Sequence, residues 1–257
     1  MRVAVDGIYF GVLPQRSPSD LIALTVEVGA EGLNWPYHPD YDEDDPARTA
    51  AQLRDAGLAV VSLGLTRQTS AIPDSEAAFR EVFAKCVEAA GILGTTVIDC
   101  WPYRPVEVTK EAAQAVLASN LDAVVPIAQA AGCCISFEFE PDTTIERFAE
   151  AKAFLEPWAP TARLTADTYH IIRIGDDLAD AGAALGDRIG MIHFSASHRG
   201  EPGTDDDQCN YAAFLGNALD NGYAGDIVLQ YAPPEDAAGS LKRAISLTRE
   251  VIKQCAE

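Results

Sequence analysis

Short apolar runs recur along the chain, and each is followed by a segment with the apolar spacing of a helix. Their starts lie roughly 30 residues apart, which is the length of one strand and its crossover helix. The eight runs, read as strands, are 3–9, 32–35, 59–65, 96–100, 133–139, 163–166, 189–194 and 226–231. The pattern therefore predicts consecutive strand–helix units.

The segments between the runs carry apolar residues three and four positions apart, as an amphipathic helix requires. In 75–93, for example, Phe79 and Val82 belong to one apolar stripe. Gly94 and Gly132 directly follow two of the segments, where a helix-ending glycine is expected. The predicted helices are 19–30, 46–56, 75–93, 109–131, 144–155, 177–185, 211–221 and 235–255.

Eight strand–helix units in 257 residues predict a closed (β/α)8 barrel, the TIM barrel, formed by a single domain over residues 1–257. The alternative is a doubly wound sheet, which usually carries a glycine-rich phosphate loop at a topological switch point. Neither the G-x-G-x-x-G pattern nor a P-loop occurs in the sequence. No linker or low-complexity segment divides the chain, so we expect one domain.

Groups able to bind a metal stand at the ends of the later predicted strands. They are Glu138, Asp167, His170, His193 and Gln230. Strands normally end in turn residues such as Gly, Asn or Pro, so this series is difficult to attribute to folding alone. In a TIM barrel the carboxyl ends of the strands form the active site. A set rich in oxygen favours one divalent ion, Mn²⁺ first, with Mg²⁺, Co²⁺, Fe²⁺ or Zn²⁺ as alternatives.

Aromatic and polar residues after other strands predict the class of ligand. Trp101 and Tyr103 follow the fourth strand, and we expect them to contact the substrate together with His38. Aromatic faces among carboxylates and imidazoles suit a sugar, another polyol or a cyclitol. Strand alternation gives Glu140 the same orientation as Glu138, and it does not decide whether Asp99 is functional or structural.

Net charge and cysteine content disfavour some classes of partner and indicate the cellular compartment. The formal net charge of −20 argues against a nucleic-acid partner, which requires clustered Lys and Arg. No run of about 18 apolar residues occurs, so we expect no membrane span. The six cysteines show no C-x-x-C pairing and indicate reduced thiols in a cytoplasmic protein. A homo-oligomer is compatible with all of this.

Several short motifs carry a resemblance to a known superfamily. They are the run from Gly132 to Glu138, Asp167-Thr-Tyr-His170, His193, and Arg199 followed by Pro202-Gly203. Together they resemble the xylose isomerase-like sugar phosphate isomerase/epimerase superfamily, which includes ketose 3-epimerases and inosose isomerases. The resemblance implies that Glu138, Asp167 and His193 bind the metal. It also implies that His170 and Arg199 contact the substrate.

The chain departs from the superfamily pattern at the eighth strand. The superfamily has there a Glu that binds the metal and acts as one of two acid/base carboxylates, whereas this chain has Gln230. An amide oxygen remains a weaker fourth ligand, but it neither takes nor gives a proton at neutral pH. A mechanism with two carboxylate bases is therefore disfavoured. Glu138 is expected to be the base, and His170 is the second predicted catalytic residue.

These observations predict a metal-dependent isomerase of a sugar, keto-sugar or cyclitol that moves a proton through an enediolate. A lyase or dehydratase on a related polyol is one alternative. A non-catalytic carbohydrate-binding barrel is the other, because Gln230 removes the second carboxylate. The DNA-repair branch of the superfamily is disfavoured. The resemblance implies a His-rich three-metal site for that branch, whereas this acidic chain has four His.

Overall fold

The computed structural model describes residues 1–12, 16–37, 45–65, 69–204 and 206–256. Its parallel strands close into one barrel, and each strand pairs with its neighbours in sequence order. The strands are Val3–Asp6 (β1), Gly32–Tyr37 (β2), Ala59–Leu65 (β3), Val97–Cys100 (β4), Cys134–Glu138 (β5), Ala162–Asp167 (β6), Ile189–Phe194 (β7) and Ile227–Leu229 (β8). The prediction of a (β/α)8 barrel is confirmed.

Helices connect the strands on the outside of the barrel. They are Pro18–Glu27 (α1), Pro46–Asp55 (α2), Glu76–Leu93 (α3), Lys110–Ala130 (α4), Phe148–Leu155 (α5), Thr168–Arg173 (α6), Leu178–Leu185 (α7), Tyr211–Asp220 (α8) and Ala237–Cys255 (α9). Ser17 and Asp20 form a reciprocal capping box that fixes the start of α1. Gly94 and Gly132 adopt φ angles of 76° and 70° after α3 and α4, as the sequence predicted for helix-ending glycines.

Several predicted boundaries differ from the structure, the helix Thr168–Arg173 was not predicted, and two of the differences have a visible cause. The first strand ends at Asp6 because that carboxylate accepts a hydrogen bond from the backbone N–H of Tyr9 at 2.8 Å. The chain then forms a π-helical turn over Ile8–Val12, a conformation that is frequent at functional sites. Helix α5 begins after residue 144 because the Thr144 hydroxyl donates instead to the Pro102 carbonyl at 2.8 Å.

The interior of the barrel is apolar near the strand starts and polar near the strand ends. Ala4, Met191 and Val228 belong to one small buried cluster. Side chains two positions apart on a strand share a face. The residues two positions further along these strands are Asp6, His193 and Gln230, all of them buried. Polar groups at these inward positions form the base of the site described below.

Two further sequence expectations concern the chain as a whole. Within the described ranges, no helix combines the length and the apolar character that crossing a bilayer requires. All six cysteines are free thiols, as the absence of paired spacing predicted.

Candidate active site

The carboxyl ends of β5, β6 and β7 bring three predicted metal ligands together. His193 Nδ1 lies 3.2 Å from Glu138 Oε1 and 3.9 Å from Asp167 Oδ2. The strand register places Asp167 directly beside His193 on the neighbouring strand. Asp167 and His193 are fully buried, and Glu138 is 9% exposed. The structure thus gathers an imidazole and two carboxylates at one end of the barrel.

Arg199, in the loop after β7, connects this group to residues that follow β8 and β1. Its guanidinium contacts Asp167 Oδ2 and donates to Gln230 Oε1 at 2.8 Å and to Tyr9 Oη at 3.1 Å. The Gln230 amide N–H in turn donates to Asp6 Oδ2 at 3.4 Å. Gln230, predicted as a fourth ligand, therefore lies at the site with its amide oxygen bound to Arg199.

His170 occupies the other side of Glu138. Its Nε2 lies 2.8 Å from Glu140 Oε2 and 3.9 Å from Glu138 Oε1. The short helix α6 presents His170 toward the site, while its Nδ1 is buried without a hydrogen-bond partner among the described residues. Glu140, whose role the sequence left open, is thus the direct partner of His170.

A layer of polar side chains lies beneath the three predicted ligands. Asn34 Nδ2 donates to Asp6 Oδ2 at 2.9 Å and to Asp99 Oδ2 at 3.3 Å. Asp99 Oδ1 accepts from the Thr165 hydroxyl at 3.0 Å, and Thr165 is 2.7 Å from the Ser136 hydroxyl. These bonds satisfy polar groups that would otherwise be costly to bury. They also support the strand ends that carry the site.

A cavity of about 400 Å³ opens above these groups. It is lined by Ile8, Tyr9, Leu65, Asp99, Trp101, Glu138, Glu140, Tyr169, His170, Arg173, Arg199 and Gln230. Its volume suits a small polar molecule. Of the predicted substrate contacts, Trp101, His170 and Arg199 line it. Tyr103 does not, and packs on Trp101 with ring centroids 5.3 Å apart. His38 lies outside the described residues.

The crowding of acidic groups shifts their ionisation. Burial raises the pKa of Glu138 to about 8, with Asp167 and Glu140 acting in the same direction against His170. Burial also raises the pKa of Asp99 to about 7. Burial opposes the ionisation of Asp167 as well, but Arg199, His170 and His193 outweigh it and hold that pKa below its ordinary value. Of these three carboxyl groups, Asp167 therefore ionises first.

The chemistry and spacing of these donors fit a divalent ion. Oxygen and nitrogen ligands lie about 2.0–2.6 Å from such an ion, so two of them stand roughly 3–4 Å apart. His193 meets that spacing with both Glu138 and Asp167. The ligand atoms of Glu138, Asp167 and His170 also lie within 4.8 Å of one another. The Nε2 of His193 is buried without a hydrogen-bond partner among the described residues, whereas the Nε2 of His170 is bonded to Glu140.

The pKa shifts predict how the stability of the metal-free protein depends on pH. Folded Glu138 and Asp99 keep protons that the unfolded chain has already released, so unfolding releases protons. Stability should therefore fall as pH rises from the ordinary carboxyl range near about 4 to about 8. The pKa of His170, raised by Asp167 and Glu140 against the effect of burial, acts in the same direction.

Urea unfolding in EDTA at several pH values measures this dependence. Glu138→Gln removes one of the groups responsible and should reduce the slope. Added Mn²⁺ should stabilise the wild type more at pH 8 than at pH 5, because binding requires deprotonated ligands. A metal-free stability that is flat or rises over this window would contradict the assignment.

Sequence patterns indicated only part of this site. Asp6 and Asn34 occupy inward positions on β1 and β2, and a polar residue at an inward position was the available signal. Tyr9 was visible as an aromatic residue at the end of the first run, but its place in a π-helical turn was not. The pairing of Arg199 with Asp167 and Gln230 joins distant parts of the chain, and no local pattern encodes it.

Comparison with known proteins identifies a family model and a curated relative that match this chain. A family model described as "Xylose isomerase-like TIM barrel" matches residues 22–251. A curated L-ribulose 3-epimerase of Methylomonas sp. (strain DH-1) is 32% identical over 103 residues, which are 40% of this chain and 35% of the relative. The match thus spans about a third of that relative's length.

Solved structures share the whole architecture. A structure of L-ribulose 3-epimerase superposes with a TM-score of 0.85 at 21% identity, covering 99% of this chain and 95% of the other. D-Psicose 3-epimerase with D-tagatose from Clostridium cellulolyticum H10 gives a TM-score of 0.84 at 17% identity, covering 98% and 99%. At these identities the likeness establishes the fold.

Proposed function

Because the chain belongs to the xylose isomerase-like TIM barrel family, we propose that it is a sugar isomerase or epimerase acting on a small ketose. The reaction would move a proton at a carbon next to the carbonyl. Among the similar proteins, several are epimerases of free ketoses by name. The proposal extends that class of substrate to this chain.

One observation supports the proposal most directly. Glu138 is a buried carboxylate that lines the cavity and contacts His193, within 4.8 Å of further potential ligands. Burial, Asp167 and Glu140 raise the pKa of Glu138 in the metal-free protein, and a carboxylate with a raised proton affinity is the stronger base once it is ionised. Glu138 is therefore proposed as the base.

We propose Glu138, Asp167 and His193 as the ligands of one divalent ion, with Mn²⁺ as the preferred metal. When bound, such an ion would polarise the carbonyl and the adjacent hydroxyl of a sugar and so make the neighbouring C–H more acidic. Gln230 would be the weaker fourth ligand, since its amide oxygen carries no charge and accepts a hydrogen bond from Arg199.

The remaining polar groups would bind and orient the substrate. Arg199 is held by Asp167, Gln230 and Tyr9, so its donors are fixed in position before any ligand enters. His170, anchored by Glu140, would donate to a sugar oxygen beside the carbon that loses its proton. Trp101 supplies an apolar face with an indole N–H that is buried and unpartnered among the described residues. Such a donor is suited to a hydroxyl group.

The test is turnover of L-ribulose and D-allulose in D₂O by the Mn²⁺-loaded protein, followed by NMR. We expect deuterium to enter at C3 and the C3 epimer to accumulate. EDTA should stop both. Protein loaded with Zn²⁺ or Mg²⁺ compares the alternative metals in the same assay.

Other outcomes separate the competing functions. Loss of water from the sugar, with formation of a dicarbonyl product, would indicate a lyase. Neither exchange nor product with any ketose tested, together with ligand-dependent thermal stabilisation, would indicate a carbohydrate-binding barrel. Either result would contradict the proposed function.

A further inference from the structure

Epimerisation requires a proton to leave one face of a carbon and another to arrive on the opposite face. Glu138 stands on β5, which is four strands away from β1 in the closed order. The wall across the cavity is therefore formed by β1 and its neighbours β8 and β2, of which the β8–β1 side contributes described residues to the lining. Gln230 directly follows β8 on that wall, and its amide neither takes nor gives a proton at neutral pH. If the protein is an epimerase, another group on this side must supply the proton.

Tyr9 is the group in that position. Among the described residues, the β8–β1 side contributes Ile8, Tyr9 and Gln230 to the cavity. Only Tyr9 carries an O–H. Asp6 is fully buried beneath Gln230 and does not line the cavity, so its carboxylate is out of reach of a substrate.

The backbone and Arg199 hold the Tyr9 phenol in place. Asp6 fixes the backbone N–H of Tyr9 within the π-helical turn. The Arg199 guanidinium lies 5.0 Å from the ring centroid of Tyr9 and donates to its oxygen at 3.1 Å. A hydroxyl that accepts in this way keeps its own hydrogen for donation. The same guanidinium is placed to stabilise the negative charge left on the oxygen after that donation.

The ionisation of Tyr9 is consistent with a donor. Burial raises its pKa above the ordinary value, although Arg199 acts in the opposite direction. The phenol is therefore protonated at neutral pH. Arg199 reduces the cost of losing the proton when negative charge develops on the substrate.

We infer that Tyr9 is the proton donor on the β8–β1 face of the substrate, in place of the carboxylate that Gln230 lacks. The inference rests on the proposed function. Glu138 removes the proton from C3 of the ketose, the C–H electron pair becomes the C2–C3 double bond, and the carbonyl π pair moves to its oxygen. Tyr9 then gives its proton to the opposite face of C3, and the carbonyl forms again. Glu138 releases its proton to water, and the phenolate recovers one from water.

Tyr9→Phe tests this role, because it keeps the ring beside Arg199 and removes only the hydroxyl. The assay follows L-ribulose in D₂O with Mn²⁺ and measures two rates, deuterium entry into the recovered ketose and formation of the C3 epimer. We expect epimer formation to fall by about 100-fold or more, the contribution typical of a positioned acid. Deuterium entry should persist, because Glu138 still removes the proton and returns a deuteron to the same face.

Matched variants complete the experiment. Tyr231→Phe removes a buried hydroxyl bonded to Ser240, outside the cavity, and should leave both rates unchanged. Epimer formation within threefold of wild type in Tyr9→Phe would overturn the inference. Loss of epimer formation in Tyr169→Phe but not in Tyr9→Phe would assign the role to the other cavity tyrosine. Equal loss of exchange and epimer formation in Tyr9→Phe would also overturn it.

The wild-type result separates the two levels of the proposal. Exchange with no epimer would leave proton abstraction by Glu138 standing and would overturn the role of Tyr9. Neither exchange nor epimer would overturn the proposed function, and the role of Tyr9 with it.

Discussion

Glu138→Gln is expected to lower the rate of exchange between the substrate C–H and solvent by about a thousandfold, while the sugar still binds. The amide keeps the size of the side chain and an oxygen for the metal, but it takes up no proton. Removal of a positioned general base typically costs 10²–10⁴-fold, so about a thousandfold is the central expectation. Deuterium exchange by NMR and sugar binding by calorimetry measure the two effects separately.

Glu140→Gln is the matched comparison for this change. Glu140 also lines the cavity, two residues away, but it is bonded to His170. We expect this variant to keep exchange within about tenfold, because the proposed base is intact. Metal content must be measured in both variants. Exchange that survives in Glu138→Gln and disappears in Glu140→Gln would assign the base to Glu140 instead.

Asp167→Ala is expected to remove metal binding. Asp167 is fully buried, contacts Arg199, and accepts at its other oxygen from the Tyr169 backbone N–H at 2.8 Å. Without it, the site loses one of the proposed anionic ligands, and the Arg199 cation retains no other carboxylate partner among the described residues. We expect Mn²⁺ affinity to fall by more than about 100-fold, beyond the loss typical of a residue that only supports a ligand.

His193→Ala should have a similar effect on affinity without leaving Arg199 unpaired. Titration calorimetry and metal analysis of purified protein measure both variants. Asp226→Asn is the control, since Asp226 pairs with Arg2 at the opposite end of the barrel. Full metal occupancy in Asp167→Ala would refute the ligand assignment. A melting temperature for each variant distinguishes loss of the ligand from loss of the fold.

The barrel was predictable because its signals are local and repeated. Apolar runs of strand length, helical stripes and glycines such as Gly94 each depend on a few neighbouring residues. The predicted ligands followed from the same logic, because side chains at the carboxyl ends of parallel strands necessarily converge. Glu138, Asp167 and His193 therefore came together without any knowledge of long-range contacts. Their roles remain predictions.

The contacts on the β8–β1 side of the cavity were not predictable, because they join residues that are remote in sequence. Arg199 and Tyr9 are 190 positions apart, and Gln230 and Asp6 are 224 apart. Nor does the sequence reveal that the chain leaves β1 at Asp6 through a π-helical turn. Strand alternation continued to residue 9 would orient Tyr9 differently from the turn that actually places it. Hence the sequence pointed to the missing carboxylate at Gln230 and to an aromatic residue at position 9, but not to the relation between the two.

The contact between Gln230 and Asp6 should make the residue types at these two positions depend on each other. The amide donates to a carboxylate that is itself buried, so a Glu at position 230 would place two carboxylates about as close as the present 3.4 Å contact. Like charges at that distance in a buried site disfavour one another. An acidic residue is therefore compatible with either position but not readily with both. In alignments of related chains, an acid at one position should accompany a neutral residue at the other, and the two substitutions should be non-additive when they are combined.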